Sequence, residues 1–248
     1  MTDRLPTTPR ADLLAGIDLI VFDKDGTLIE FDLMWGGWVD DISRRLESST
    51  GLPLRDGLYE MLGVDPATGL VYWHGLMAAT PMARIREAIE AYVAEAGAGD
   101  AAALAAVEAA WYAPDPVGLA RPVTDLRALL ARLRERVPRF AVATSDDRAP
   151  TERTLESLGI AGEMAVLACA DDGFPNKPAP DPVLRICEQL DVEPRRTAVV
   201  GDSPADLRMG RAAGAGRVIA VLTGVGDEAT LAPLSDVVLT SVAELAPA

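Results

Sequence analysis

Basic residues are scarce in this chain: 23 Lys and Arg stand against 38 Asp and Glu across 248 residues, a net charge of −15. A nucleic-acid partner needs basic surface to neutralise its phosphates, so this balance excludes one, and the same acidity opposes docking on an anionic membrane. Long apolar runs are missing as well; none approaches the roughly 18 residues that a bilayer crossing needs. Cysteine is limited to Cys169 and Cys187, without CxxC spacing. That pattern excludes a disulfide framework or a thiolate metal site and fits two reduced core thiols. His74 is the lone histidine; between Trp73 and Gly75 it reads as a packed or surface residue. The opening MTDRLPTTPRADLLAG carries no apolar stretch of signal-peptide type, and a cytoplasmic protein is expected.

What is present is a substantial apolar fraction, 49%, enough for a large core. The run Ile17-Asp18-Leu19-Ile20-Val21-Phe22 is short, apolar and rich in β-branched residues, and it breaks into polar Asp23-Lys24-Asp25-Gly26-Thr27. Such a pattern predicts a buried parallel strand delivering a loop to the carboxyl edge of a sheet. Similar strands are expected at 139–143, ending at Thr144-Ser145-Asp146-Asp147, and at 197–200, ending at Gly201-Asp202-Ser203. Weaker ones are expected at 165–167, 217–221 and 236–239. Helical spacing marks 125–133, 150–158 and 182–190, the last with Pro182 near its start. Strands alternating with helices imply a doubly wound, mainly parallel α/β sheet. Residues 31–117 differ: helical patterns at 33–48, 81–95 and 100–111 dominate, no strand is evident, and all four Trp and all four Tyr fall there. The expected architecture is a Rossmann-like core, 1–30 and 118–248, with an all-helical insertion at 31–117.

Open α/β sheets bind ligands where strands end, at the point where strand order reverses. Three strand ends here carry Asp23 with Asp25, Thr144 with Ser145, and Asp202; Asp206 follows Asp202 by one helical turn. Gathering Asp23, Asp25, Asp202 and Asp206 is costly, since two like charges 4 Å apart repel by about 4 kcal/mol at an effective dielectric of about 20. Such a cluster calls for protons or a cation, and hard oxygen donors without His or Cys suit Mg²⁺. The only two lysines, Lys24 and Lys177, both fall in these loops. Their placement suggests a compact point charge chosen for the site.

Asp23-Lys24-Asp25-Gly26-Thr27-Leu28, Thr144-Ser145, Lys177-Pro178-Ala179-Pro180-Asp181-Pro182 and Gly201-Asp202-Ser203-Pro204-Ala205-Asp206 resemble, in order, the four motifs of the haloacid dehalogenase superfamily, and its phosphoglycolate phosphatase-like members in particular. The insertion resembles that superfamily's helical cap, which closes over the site. The resemblance implies that Asp23 attacks phosphorus to give an aspartyl-phosphate and that Asp25 is the general acid and base. It implies Mg²⁺ held by the Asp23 carboxylate, the Asp25 carbonyl and Asp202. Thr144, the Ser145 amide and Lys177 would hold the phosphoryl oxygens, with Asp206 behind them orienting Lys177 or a metal-bound water. An acid at position 25 favours phosphoryl transfer over dehalogenation, because a departing halide needs no proton.

Three departures from the pattern stand out. Lys24 occupies a place often apolar in relatives and could reach the site or extend to the surface. Ser145 replaces a common asparagine, and Asp146 and Asp147 are expected to cap the following helix. The segment from Ile29 to Trp35 lacks the Asp-Ser pair of many phosphoglycolate phosphatases. The expected partner is a small phosphorylated metabolite, and the oligomeric state is open between monomer and homodimer. A sugar-phosphate mutase and a catalytically idle binding protein are the alternatives. A phosphonate-cleaving Schiff-base activity is disfavoured, because 31–117 contains no lysine.

Overall fold

The computed structural model describes residues 13–246 other than 79, 113 and 116, and the side chains of 32–34 are not described. The chain forms two compact units, one of the residues up to Glu30 and from Arg121 onward, the other Phe31–Ala120.

The second unit is built from α1 (Asp32–Thr50), α2 (Arg55–Leu62), α3 (Met82–Val93) and α4 (Asp100–Ala110). On α1 the buried residues Trp35, Trp38, Val39, Ile42 and Leu46 recur at helical spacing and form one apolar stripe. Ile85, Ile89 and Val93 do the same on α3, and Ala103, Val107 and Ala110 on α4. The first N–H groups of α2 have no cap of their own; the Glu47 carboxylate accepts from Leu54 and Arg55 (3.1 and 2.9 Å) in its place. Trp38 packs edge-on against Trp35 and Trp111, centroids 6.2 and 5.2 Å away, and its indole N–H donates to the Tyr112 carbonyl. The aromatics are divided, though: Tyr72 and Trp73 are exposed, and the Tyr72 ring stacks on His74.

The first unit holds a six-stranded sheet of β1 (Leu19–Phe22), β2 (Arg139–Ala143), β3 (Met164–Ala168), β4 (Thr197–Gly201), β5 (Arg217–Val221) and β6 (Val237–Leu239). The order is β3-β2-β1-β4-β5-β6 and every pairing is parallel. Interleaved are α5 (Leu126–Arg134), α6 (Arg148–Ser157), α7 (Asp181–Leu190), α8 (Pro204–Ala212) and the short α9 (Glu228–Leu231). Alternate strand residues serve opposite faces. Ile20, Phe22, Phe140, Val142 and Val200 pack with Leu129, Leu130 and Leu133 of α5. Leu19, Val21, Ala141 and Val199 pack with Val183 and Ile186 of α7 and Met209 of α8. Both faces are covered, which is why these strands read as unbroken apolar runs. Phe22 lies level with Val142 on one side and Val200 on the other, so β1, β2 and β4 release their loops side by side where the strand order reverses. Cys169 and Cys187 are both free and buried.

Candidate active site

The loop after β1 turns sharply because the Lys24 carbonyl gathers the N–H groups of Leu28 and Ile29 (2.9 and 3.1 Å), while Gly26 adopts φ +85°. Its residue Asp23 continues the ladder to β4 through its N–H on the Val200 carbonyl (2.8 Å) and is buried. From the β3–α7 loop, Lys177 donates to Asp23 and to Asp206 Oδ1, the latter at 2.6 Å; all three side chains are buried. Asp206 is at the third position of α8 and closes a reciprocal cap with Ser203, taking the Ser203 hydroxyl on Oδ2 at 2.6 Å.

Asp202, at the end of β4, is held from two loops. Thr27 donates its hydroxyl to Oδ1 (3.2 Å) and the Val225 N–H reaches Oδ2 (2.8 Å). Gly26 and Gly224 crowd this carboxylate so closely that a Cβ on either would lie 2.5 or 2.0 Å from Oδ2. Carboxylate oxygens of Asp23, Asp202 and Asp206 lie within 4.8 Å of one another. Each of the three already accepts hydrogen bonds: Asp206 from Lys177 and Ser203, Asp202 from Thr27 and Val225, and Asp23 from Lys177. Close, buried carboxylates with only hard oxygen donors fit a small divalent cation such as Mg²⁺.

The electrostatics agree. Burial pushes the Asp23 carboxyl up to about 7, against the pull of Lys177 and with Asp206 and Asp25 adding to it. Burial also raises Asp202 well above the carboxylate range, Asp23 and Asp206 reinforcing it. Asp25 rises to about 6, again chiefly through burial, with Lys24 opposing. Burial disfavours the Lys177 ammonium, but the Asp206 and Asp23 carboxylates outweigh it and hold the group charged.

Asp25 does not join the three-carboxylate cluster; its side chain is turned to Lys24, 2.7 Å away. Lys24 is buried rather than extended to the surface, and it also reaches Asp146 Oδ2 at 3.0 Å. The expected helix-capping role of Asp146 and Asp147 is therefore corrected. Asp147 occupies the N-cap position of α6 without a side-chain cap bond, Asp146 is drawn to Lys24, and the Arg148 N–H is taken by Asp171 at 2.9 Å. Thr144 is buried at the end of β2, its hydroxyl accepting the Asp146 N–H (3.1 Å), and Ser145 follows half-buried. Missed in the sequence were Thr27 and the loop after β5, where Thr223 donates to the Gly26 carbonyl at 2.6 Å and Val225 to Asp202. The signal available was Gly224 and Gly226 directly behind a strand.

Comparison with known proteins decides the family. A family model for haloacid dehalogenase-like hydrolases matches residues 17–214. The chain belongs to that family. A phosphoglycolate phosphatase of Rhodospirillum rubrum is 30% identical over 201 residues, 79% of this chain and 76% of its own. The validoxylamine A 7'-phosphate phosphatase of Streptomyces hygroscopicus subsp. limoneus is 30% identical over 228 residues, 91% of this chain and 94% of its own. A crystal structure of a predicted phosphoglycolate phosphatase from Haemophilus somnus superposes with TM-score 0.66 at 17% identity, covering 94% of this chain and 97% of the other. At that identity it speaks for the fold alone. This haloacid dehalogenase-like hydrolase is a phosphatase. No helix among its described residues is long and apolar enough to cross a membrane.

Proposed function

We propose that this hydrolase is a Mg²⁺-dependent phosphomonoesterase that passes the phosphoryl group of a small metabolite to Asp23 and then to water. The observation that supports this most is the buried Lys177 ammonium bridging Asp23 and Asp206, with Asp202 in the same cluster. A lone buried carboxylate cluster would carry too much negative charge to admit a phosphate; Lys177 supplies local positive charge that the acidic surface does not.

An Asp23 carboxylate oxygen attacks phosphorus and the ester oxygen departs, taking a proton from the Asp25 carboxyl. Water then attacks the aspartyl-phosphate and gives its proton back to Asp25; orthophosphate leaves and the Asp23 carboxylate is restored. A carboxyl raised to about 6 by burial suits both roles near neutrality. Thr144, the Ser145 N–H and Lys177 hold the phosphoryl oxygens, and Asp206 orients Lys177. The carboxylates of Asp23 and Asp202 with the Asp25 carbonyl would hold Mg²⁺, whose charge offsets the repulsion between nucleophile and phosphate when it is bound.

The substrate reading follows the relatives: a small phosphomonoester, phosphoglycolate-like. Free, buried Cys169 and Cys187 are in keeping with a reducing, cytoplasmic setting. The test is turnover of p-nitrophenyl phosphate with Mg²⁺, without it, and in Asp23→Asn. Activity, loss and loss are expected; metal-independent turnover in Asp23→Asn rejects the mechanism. A screen of phosphorylated metabolites by kcat/KM then identifies the substrate.

A further inference from the structure

We propose that Lys24 is a positioning residue for this reaction: anchored by Asp146, it holds the Asp25 carboxyl in the orientation from which a proton reaches the leaving group. The proposal rests on the reading of Asp25 as general acid given above, and it concerns a residue that this reading leaves without work.

The position is an unfavourable one for lysine. It lies two residues beyond a strand buried on both faces, and the side chain is 1% exposed. An apolar side chain would bury there without penalty, whereas an ammonium must recover its lost hydration from partners. Lys24 has two. Its Nζ lies 2.7 Å from both Asp25 oxygens, a bidentate contact on its immediate neighbour, and 3.0 Å from Asp146 Oδ2.

Charge compensation alone needs only one carboxylate, and Asp25 would supply it. The second comes from a different loop, and its main chain is fixed on both sides. The Asp146 N–H donates to the Thr144 hydroxyl (3.1 Å), and its carbonyl accepts the Ala170 N–H (2.9 Å). Asp146 is thus a rigid post, Lys24 a strut, and Asp25 the group held at its end. An ammonium with three donors can serve two acceptors and keep a defined direction between them. The Lys24 ammonium bonds to Asp25 and Asp146, and of these two Asp25 is the one with a part in the reaction, so the effect of Lys24 runs through Asp25.

The readout that isolates this role is dependence on the leaving group. p-Nitrophenolate departs without a proton, while the more basic phenolate of phenyl phosphate gains from one, and the two esters have nearly the same shape. Asp25→Asn, Lys24→Leu and the double variant Lys24→Leu/Asp146→Leu are assayed on both esters with saturating Mg²⁺. The double variant guards against misfolding of the single one, because it removes both charges together.

Asp25→Asn is expected to lose at least about tenfold more kcat/KM on phenyl phosphate than on p-nitrophenyl phosphate, kcat/KM being the quantity that stops at departure of the leaving group and leaves out the hydrolysis common to both esters. Lys24→Leu and the double variant are expected to show the same preference in the same direction, with KM for both esters within about threefold of the parent. Equal losses on the two esters in both Lys24 variants, alongside discrimination by Asp25→Asn, overturn the positioning role and leave the Asp25 assignment standing. If Asp25→Asn itself fails to discriminate, the assignment of Asp25 falls and this proposal with it.

Discussion

Lys177 donates from one ammonium to Asp23 and to Asp206, whose Oδ1 lies 2.6 Å away, and all three side chains are buried. The contact joins the β3–α7 loop, the β1 loop and the first turn of α8. Replacing Lys177 with methionine leaves two carboxylates facing each other without their cation. Removal of one partner from a buried ion pair costs about 3–5 kcal/mol, so urea denaturation of Lys177→Met should show a loss of that size. Its kcat/KM on p-nitrophenyl phosphate should fall by about 10²-fold or more. Lys177→Arg should not restore activity, because a planar fork does not substitute for a compact ammonium between two acceptors.

The raised Asp23 carboxyl makes a pH prediction whose sign is the reverse of the common one for an aspartate. Burial lifts it from 3.8 to about 7 in the folded protein, so the native state binds its proton more tightly than the unfolded chain does. Its contribution to stability is therefore fully present below about pH 4 and is lost as pH rises towards 7. Metal-free protein should show a Tm that declines across that window, and Asp23→Asn should flatten the decline. Saturating Mg²⁺ should raise Tm most at the upper end, where the carboxylates are ionised and binding to the native state is strongest.

Arg148 stitches two loops together. Its guanidinium donates to Asp172 (2.8 and 2.9 Å) and to the Leu167 carbonyl (3.0 Å), and Asp172 in turn accepts the Cys169 N–H at 2.8 Å. One loop carries Thr144 and Ser145, the other Lys177. In Arg148→Met the loops lose this tie while Lys177 keeps its own carboxylates. KM for phosphate esters and Ki for orthophosphate should rise together, about three- to tenfold, with kcat changed less; an unchanged Ki would separate Arg148 from the phosphate site.

The sheet was legible because a parallel strand buried on both faces leaves an uninterrupted apolar run. Residues 139–143 and 217–221 were read with their observed limits, since each run ends where polar residues begin. The sheet proved wholly parallel rather than mainly so. Helix α2 was passed over: Leu54, Leu58 and Leu62 recur every fourth residue, but Gly57 lies among them and the helix borrows its N-terminal acceptor from Glu47. A bond from a distant side chain leaves no local trace. The same reason hid the Lys24–Asp146 contact, which depends on two loops meeting, and misassigned Asp146 as a cap. Short-range sequence reads what a segment does alone; the pairing of loops from β1, β2 and β5 is decided by strand order.

The loop after β5 offers the sharpest test of what strand order adds. Gly224 sits against Asp202 with no room for a methyl group, since its Cβ would lie 2.0 Å from Oδ2. The neighbouring Val225 N–H meanwhile holds that same oxygen at 2.8 Å. Gly224→Ala must displace either the loop or the Asp202 carboxylate, at about 1–3 kcal/mol of overpacking. If Asp202 is a metal ligand, the displacement also weakens Mg²⁺ activation, by about 10- to 100-fold in apparent affinity, as loss of a ligand's supporting contacts does. The Mg²⁺ dependence of turnover and the denaturation midpoint measure the two effects separately. Gly162→Ala, where a Cβ meets nothing within 4 Å, is the control that should leave both unchanged. A destabilised Gly224→Ala enzyme with ordinary Mg²⁺ activation would mean that the loop yields and the Asp202 carboxylate stays in place, and Asp202→Asn, expected to lose Mg²⁺ activation outright, then tests the ligand directly.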